Sequence, residues 1–216
     1  MQRARPSSDL DVVLVGAGGH AHVVADMLAA LGRRLRGYVA PIGSTVLKWT
    51  EWLGTDDVLR DMTPGTADLV VAVGSAGDVA VRRAIFDLLD GQGHCLPALV
   101  HPTGGLARDV TLGAGAQVML GAAVQAGVTV GRNAILNTGA VVDHDCRIGD
   151  HAHVAPGAVL CGDVTVGEAA HVGAGARVIQ GVRIGAGALV AAGAVVISDV
   201  PDGARVAGVP AKEMRG

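Results

Sequence analysis

The sequence predicts a chain in two unlike parts, a small parallel α/β sheet followed by a parallel β-helix. Three observations carry this. Short apolar runs alternate with stretches of helical apolar spacing over residues 11–101. From Leu106 to Pro201 a six-residue repeat runs without a gap. Half of the 216 residues are hydrophobic but only 2% are aromatic, so the core must be built from Ala, Val, Leu and Ile, which suits regular layers.

The first part, residues 1–101, reads as follows. DVVLVG is an apolar strand ending at Gly16. From His20 to Gly32, Val23, Val24, Met27, Leu28 and Leu31 recur at helical spacing, and Gly32 is a helix stop. LRGYVA is a second strand and residues 41–55 read as loop. TDDVLRDM reads as a short helix with Thr55 as N-cap and acidic residues in its first turn. ADLVVAVG is a buried strand, residues 78–90 a further helix, and HCLPALVHP a last strand. Strand and helix in alternation imply a parallel sheet with crossover helices.

The second part, residues 102–216, contains sixteen hexads, from LARDVT to VISDVP. The first position is always Leu, Val or Ile, and the fifth always Val, Ala or Cys. A fixed period of six signals a parallel β-helix, whereas an antiparallel barrel would show turn signals every 8–12 residues. The branched residue points inward and the small one fills the corner. Three hexads close one coil, so residue i+18 stacks on residue i at about the 4.8 Å strand spacing.

Net charge is −3 and evenly spread, with 9 basic and 11 acidic residues before position 106 and 8 and 9 after it. Without a basic stripe, nucleic acid is not expected as a partner. Three cysteines, Cys95, Cys146 and Cys161, show no CxxC spacing and fit a reducing, cytoplasmic setting. MQRARPSSDL lacks the apolar stretch of a signal peptide, and no run of 18 apolar residues predicts a membrane span.

The hexads, together with VLVGAGGHAHVV near the N-terminus and LNTGAVVDHDC in the centre, resemble the PglD/NeuD-type sugar acetyltransferases, and within them most nearly the GDP-perosamine N-acetyltransferases. The resemblance spans nearly the whole chain. It implies a Rossmann-like N-terminal domain joined to a left-handed β-helix, acetyl-CoA as cosubstrate, a nucleotide-linked amino sugar or a sialic acid hydroxyl as acceptor, a homotrimer, and no metal.

The resemblance also implies roles. His144 in VDHDCR becomes the general base, since a neutral imidazole accepts the acceptor's proton near neutral pH. Asp145 becomes the carboxylate that orients it and raises its basicity. Gly162, one coil beyond His144, offers a backbone N–H to the thioester oxygen, although a glycine also suits a tight corner. His153 contacts acetyl-CoA; its stacked partner at i+18 is His171, and a plain surface ladder of histidines is the alternative. Asn137 matches an asparagine that the neighbouring subunit contributes to the cleft, or simply serves as a corner residue. Ala174 and Ala192 match coenzyme-contacting positions that act through the backbone. Lys212 in AGVPAK meets a coenzyme phosphate as a point charge, or is merely solvated.

Gly16-Ala17-Gly18-Gly19-His20-Ala21 satisfies G-x-G-x-x-G/A between a strand and a helix. The acidic residue that would hold a dinucleotide's ribose about 20 residues on is missing, for Ala40 and Pro41 stand there. NAD is therefore disfavoured. By resemblance Gly18, Gly19 and His20 cradle the substrate's phosphates at a helix start, and Gly74 contacts its nucleotide. The family's acidic pair is absent at Ala40–Pro41, and Ala76 replaces its usual asparagine, with Arg82 nearby. Trp49 and Trp52, in LKWTEWLG, either cover the substrate or pack on the sheet edge, and packing is the preferred reading.

Three other functions compete: O-acetylation of a sugar or sialic acid; a zinc hydratase like the γ-carbonic anhydrases, using His144, His151 and His153; and a noncatalytic scaffold. Zinc needs converging ligands with an open position, and that family's five-residue histidine spacing is missing. Cys146 could accept an acyl group, but its hexad position points it into a corner, where a buried thiol is inert.

Overall fold

The computed structural model describes residues 10–44, 46–75 and 77–214. The reading of residues 1–9 as free of a signal peptide, and Ala76, lie outside them. The chain divides into two compact units, Met1–Ala98 and Leu99–Gly216.

In the first unit β1 (Val12–Val15), β2 (Leu35–Val39), β3 (Trp52–Gly54) and β4 (Asp68–Val71) form one parallel sheet in the order β3-β2-β1-β4. Helices α1 (Gly19–Ala30), α2 (Asp57–Asp61) and α3 (Ala80–Gly91) link the strands. Strand β1, inside the sheet, is buried throughout, and so is the terminal strand β4, where the Leu69 N–H donates to the Cys95 carbonyl at 3.0 Å. Val13, Val15, Leu69 and Val71 pack with Phe86 and Leu89 of α3. Asp68 is wholly buried and paired with Arg33 at 2.6 Å.

The short strand β3 lies inside the segment 41–55 that the sequence assigns to loop. It is three residues long with an exposed Trp52, so it carries no apolar alternation to read. At α2 the N-cap is Asp56 rather than Thr55, and neither caps the helix through its side chain.

In the second unit every strand from Thr111–Leu112 to Val195–Val196 is two residues long, joining the sixth position of one hexad to the first of the next. Strands stack in parallel at i+18, as in Val130↔Ile148, Leu136↔Val154 and Val142↔Leu160. The first-position residues from Val118 to Val196 point inward and are buried, each contributing about 1.5–3 kcal/mol. The three faces are a five-stranded sheet (Thr111–Leu112 to Arg183–Ile184), an eight-stranded sheet (Leu99–Val100 to Lys212–Glu213) and a six-stranded sheet (Gly105–Leu106 to Val195–Val196).

Both ends depart from the sequence reading. The strand in HCLPALVHP does not join the N-terminal sheet. Leu99–Val100 pairs with Gln117–Val118 and opens the solenoid. Its hexad, VHPTGG, has Gly104 in the fifth position, outside the Val/Ala/Cys set that defines the repeat. At the other end the stacking offset falls from 18 to 16. Val200 bridges Ile184, and Arg205–Val206 pairs with Leu189–Val190. The sixteenth hexad, VISDVP, therefore does not fold as a hexad. Lys212–Glu213 then turns back antiparallel on Arg205–Ala207 and covers the edge of that sheet. Among the described residues no helix is long and apolar enough to cross a membrane.

Candidate active site

His144 occupies the turn Asp143–Cys146, between strand Val141–Val142 of the six-stranded face and strand Arg147–Ile148 of the five-stranded face. The corner raises the ring clear of the solenoid, with its side chain 61% exposed. Asp143 Oδ1 accepts the His144 backbone N–H at 2.8 Å and fixes the turn. Asp145 follows with φ 60°, a left-handed conformation that Asp tolerates better than most residues. That conformation brings Asp145 Oδ2 to 2.8 Å from His144 Nδ1. With Nδ1–H donating to the carboxylate, Nε2 carries the basic lone pair. The hydrogen bond from Asp145, joined by the negative charges of Asp143, Asp145 and Asp163, raises the His144 pKa above the ordinary imidazole value.

One coil on, Gly162 lies beneath the His144 ring. A Cβ at Gly162 would stand 2.5 Å from Cε1 and overlap Nε2. Only glycine lets the imidazole lie against the backbone here. No acceptor for the Gly162 N–H is found among the described residues. The corner thus places an imidazole, a carboxylate hydrogen-bonded to it and a backbone N–H together in one exposed niche.

A second group forms on the eight-stranded face. His153 opens strand His153–Val154 and is nearly buried. Asn137 Nδ2 and His153 Nε2 are 3.0 Å apart within one chain. His171 meets the His153 ring edge-on, with centroids 5.0 Å apart and planes at 86°. The turn 149–152 separates this group from the His144 corner, and a whole strand, Arg147–Ile148, lies between the two. His144 therefore lies at a corner and His153 on a face of the solenoid, with a strand and a turn between them. His151 sits at a third place, φ 59°, its Nδ1 3.0 Å from Asn133 Nδ2. This buried pair was not singled out as such by the sequence. The three histidines of the zinc reading do not converge within the chain.

Ala174 and Ala192 occupy successive corners of the same edge. The Gly193 N–H donates to the Ala174 carbonyl at 2.8 Å, which places the two residues one coil apart. Lys212 is exposed on the returning strand. Cys146 is buried, its Sγ 3.2 Å from the Cys161 carbonyl, and burial pushes its thiol up to about 11. Such a thiol is neither ionised nor accessible enough to accept an acyl group.

In the first unit, Gly16 follows the last residue of β1, with φ 122° and a Cβ position 2.8 Å from the Ala72 carbonyl oxygen. Any other residue would collide with the neighbouring strand. Gly18 then starts the twelve-residue α1 without a side-chain cap, and the Cβ positions of Gly18 and Gly19 face open space. Gly74 packs against His20, its Cβ position 3.2 Å from that of His20. The loop after β4 and the start of α1 therefore meet, and uncapped helix N–H groups point out beside them, an arrangement that favours anions. Arg82 is buried in α3, where burial pushes its pKa down to about 10, so it offers no exposed guanidinium to a ligand. Trp49 and Trp52, expected to pack on the sheet edge, leave 60% and 46% of their surface exposed.

Both parts of the chain have counterparts among known proteins. Residues 11–89 match the model of the PglD N-terminal domain. Residues 127–162 and 145–180 match the bacterial transferase hexapeptide, and 108–144 and 163–198 the hexapeptide repeat of succinyl-transferase. The acetyltransferase domain of PglB from Neisseria gonorrhoeae FA1090, solved with acetyl coenzyme A, is 36% identical, with 96% of this chain and 100% of that one covered and a TM-score of 0.91. A point variant of GDP-perosamine N-acetyl transferase from Caulobacter crescentus, in complex with CoA and GDP-perosamine, is 40% identical over 95% of this chain and 97% of that one, TM-score 0.87. WeeI from Acinetobacter baumannii AYE is 25% identical over 95% and 100%, TM-score 0.83. A search of curated proteins returns no significant match. The solenoid is the left-handed β-helix of these transferases.

Proposed function

The chain belongs to the PglD-type hexapeptide-repeat sugar acetyltransferases, and from that premise we propose that it moves the acetyl group of acetyl-CoA to the amino group of a nucleotide-linked amino sugar, with His144 as general base. The observation that carries the mechanism is the corner stack, Asp145 on Nδ1 of His144 and Gly162 beneath the ring.

The chemistry follows from that geometry. Nε2 takes a proton from the acceptor's amino group, and the nitrogen lone pair attacks the thioester carbonyl carbon. The imidazolium so formed is stabilised by the Asp145 carboxylate. The developing oxyanion is met by the Gly162 N–H, whose lack of an internal acceptor supports this role. The C–S bond breaks and the coenzyme thiolate leaves with the proton. Transfer is direct, because Cys146 is buried and un-ionised.

In this reading Gly18, Gly19, His20 and Gly74 hold the acceptor's diphosphate and nucleotide. His153, oriented by Asn137, contacts acetyl-CoA together with Ala174, Ala192 and Lys212. The His144 corner and the Asn137–His153 pair occupy different parts of the solenoid surface, so in this reading an acetyl-CoA that meets both lies between two copies. A homotrimer satisfies this requirement. The half-exposed apolar residues Val141, Ile179 and Ile197 beside the His144 corner support such packing. Assignment to the amino group is tested by isolating the product made with isotope-labelled acetyl-CoA and treating it with mild alkali. An amide survives; a released label would establish an ester and move the reaction to a hydroxyl.

A further inference from the structure

The glycine loop proposed above to hold the phosphates leaves the nucleoside without an evident partner. In dinucleotide-binding folds a carboxylate after the second strand takes the ribose. Here that place holds Ala40 and Pro41. The structure puts an indole beside it. Trp52, on the edge strand β3, pairs with Tyr38 of β2 and donates its Nε1–H to the Ala40 carbonyl at 3.1 Å. The preceding residue, Val39, accepts the Gly16 N–H at 2.9 Å, and Ala40 N–H donates to Gly54 at 3.1 Å. Trp52 is thus two backbone links from the glycine loop, at the carboxyl end of the sheet where ligands of such folds lie.

The neighbouring segment is tied to the same loop. The Ser44 hydroxyl donates to the Ala17 carbonyl at 2.7 Å and accepts the backbone N–H groups of Val46 and Leu47. The Ser44 N–H in turn donates to the Tyr38 hydroxyl at 2.7 Å. Ser44 so ties Val46 and Leu47 to the glycine loop through Ala17. With its ring nitrogen satisfied, Trp52 still exposes close to half of its surface, in a chain with only two tryptophans. Ile42, Val46 and Trp49 of the same segment are exposed as well. An apolar surface held this firmly to a phosphate-binding loop suits a flat, weakly polar group joined to a diphosphate.

We propose that Trp52 is the nucleoside-recognition residue of this enzyme, stacking its indole on the base of the nucleoside diphosphate, with Ser44 as the positioning residue that holds the segment on the glycine loop. This rests on the nucleotide-linked acceptor proposed above. Stacking offers a face to every base, so Trp52 supplies affinity for the nucleoside with little discrimination among bases.

The test titrates the full-length protein with GDP, UDP, dTDP and inorganic pyrophosphate, following tryptophan fluorescence and calorimetry. Nucleoside diphosphates quench the fluorescence and pyrophosphate does not. Trp52→Ala weakens nucleoside diphosphate binding about tenfold or more and raises KM for the nucleotide sugar, with kcat at saturation and KM for acetyl-CoA unchanged. Trp52→Phe retains most of the affinity and Trp52→Leu loses it, a split that packing alone does not produce and that stands even if Trp52→Ala misfolds. Ser44→Ala raises the same KM, and Ser44→Thr restores it. Equal affinities for wild type and folded Trp52→Leu, or an equal loss for pyrophosphate, would overturn the assignment while leaving the acetyl transfer intact. Wild-type protein that binds no nucleoside diphosphate and turns over no nucleotide sugar would overturn both.

Discussion

The imidazole of His144 lies directly against the backbone of Gly162, residues exactly one coil apart in the solenoid, so that a methyl group on the glycine would occupy the space of the ring. The stacking comes from the i+18 register and nothing else. It sets base and backbone donor side by side without a long-range contact having to form between them.

Gly162→Ala is expected to abolish most activity while the protein stays folded. The added Cβ collides with a ring that is free to swing into solvent, so the cost falls on geometry at the site. Gly149→Ala is the control: its Cβ would stand 2.6 Å from the Glu168 backbone nitrogen, which cannot yield. That variant loses about 1–3 kcal/mol of stability. Thermal melts and turnover measured together separate the two.

His144→Ala lowers kcat by about 10²–10⁴-fold, the usual worth of a positioned general base. Binding of acetyl-CoA and of the nucleotide sugar, measured by calorimetry, stays near wild type.

The pH profile has a defined sign. The base works deprotonated, and its partners raise its pKa. Activity therefore climbs with pH through an apparent pKa above about 6.5, the free imidazole value, and falls away on the acid side. Asp145→Asn removes the largest raising contribution, so the acid limb of kcat/KM moves to lower pH while the plateau falls. An unmoved limb would contradict Asp145 as its cause.

Much of this was legible in the sequence because a six-residue period constrains each residue separately. Val130, Leu136 and Val142 sit inward where the hexads put them, and addition of 18 finds Gly162 from His144. The ends were hidden. Gly104 breaks the composition of the first hexad, and VISDVP keeps that composition while the backbone closes two residues early at Val200. Asn137 and His153 are 16 residues apart, so the stacking rule does not pair them; their side chains meet by leaning along the edge. The edge strand bearing Trp52 was illegible for a different reason, since three half-exposed residues carry no period.

Cys146→Ala keeps kcat within about twofold, since the thiol is buried and held un-ionised. Trapping of a covalent acetyl-enzyme by mass spectrometry yields none.

His153→Ala raises KM for acetyl-CoA about two- to tenfold, the worth of one hydrogen bond, and leaves KM for the nucleotide sugar in place. Asn137→Ala shows a smaller change in the same direction, because it acts through His153.

The most direct test of acetyl transfer by the His144 corner is thiol release from acetyl-CoA, with UDP-, GDP- and dTDP-linked 4-amino sugars and sialic acid offered one at a time to wild type and His144→Ala. Release that depends on a nucleotide-linked amino sugar and disappears in the variant is the predicted result. Release that persists at the wild-type rate in a folded His144→Ala would contradict it.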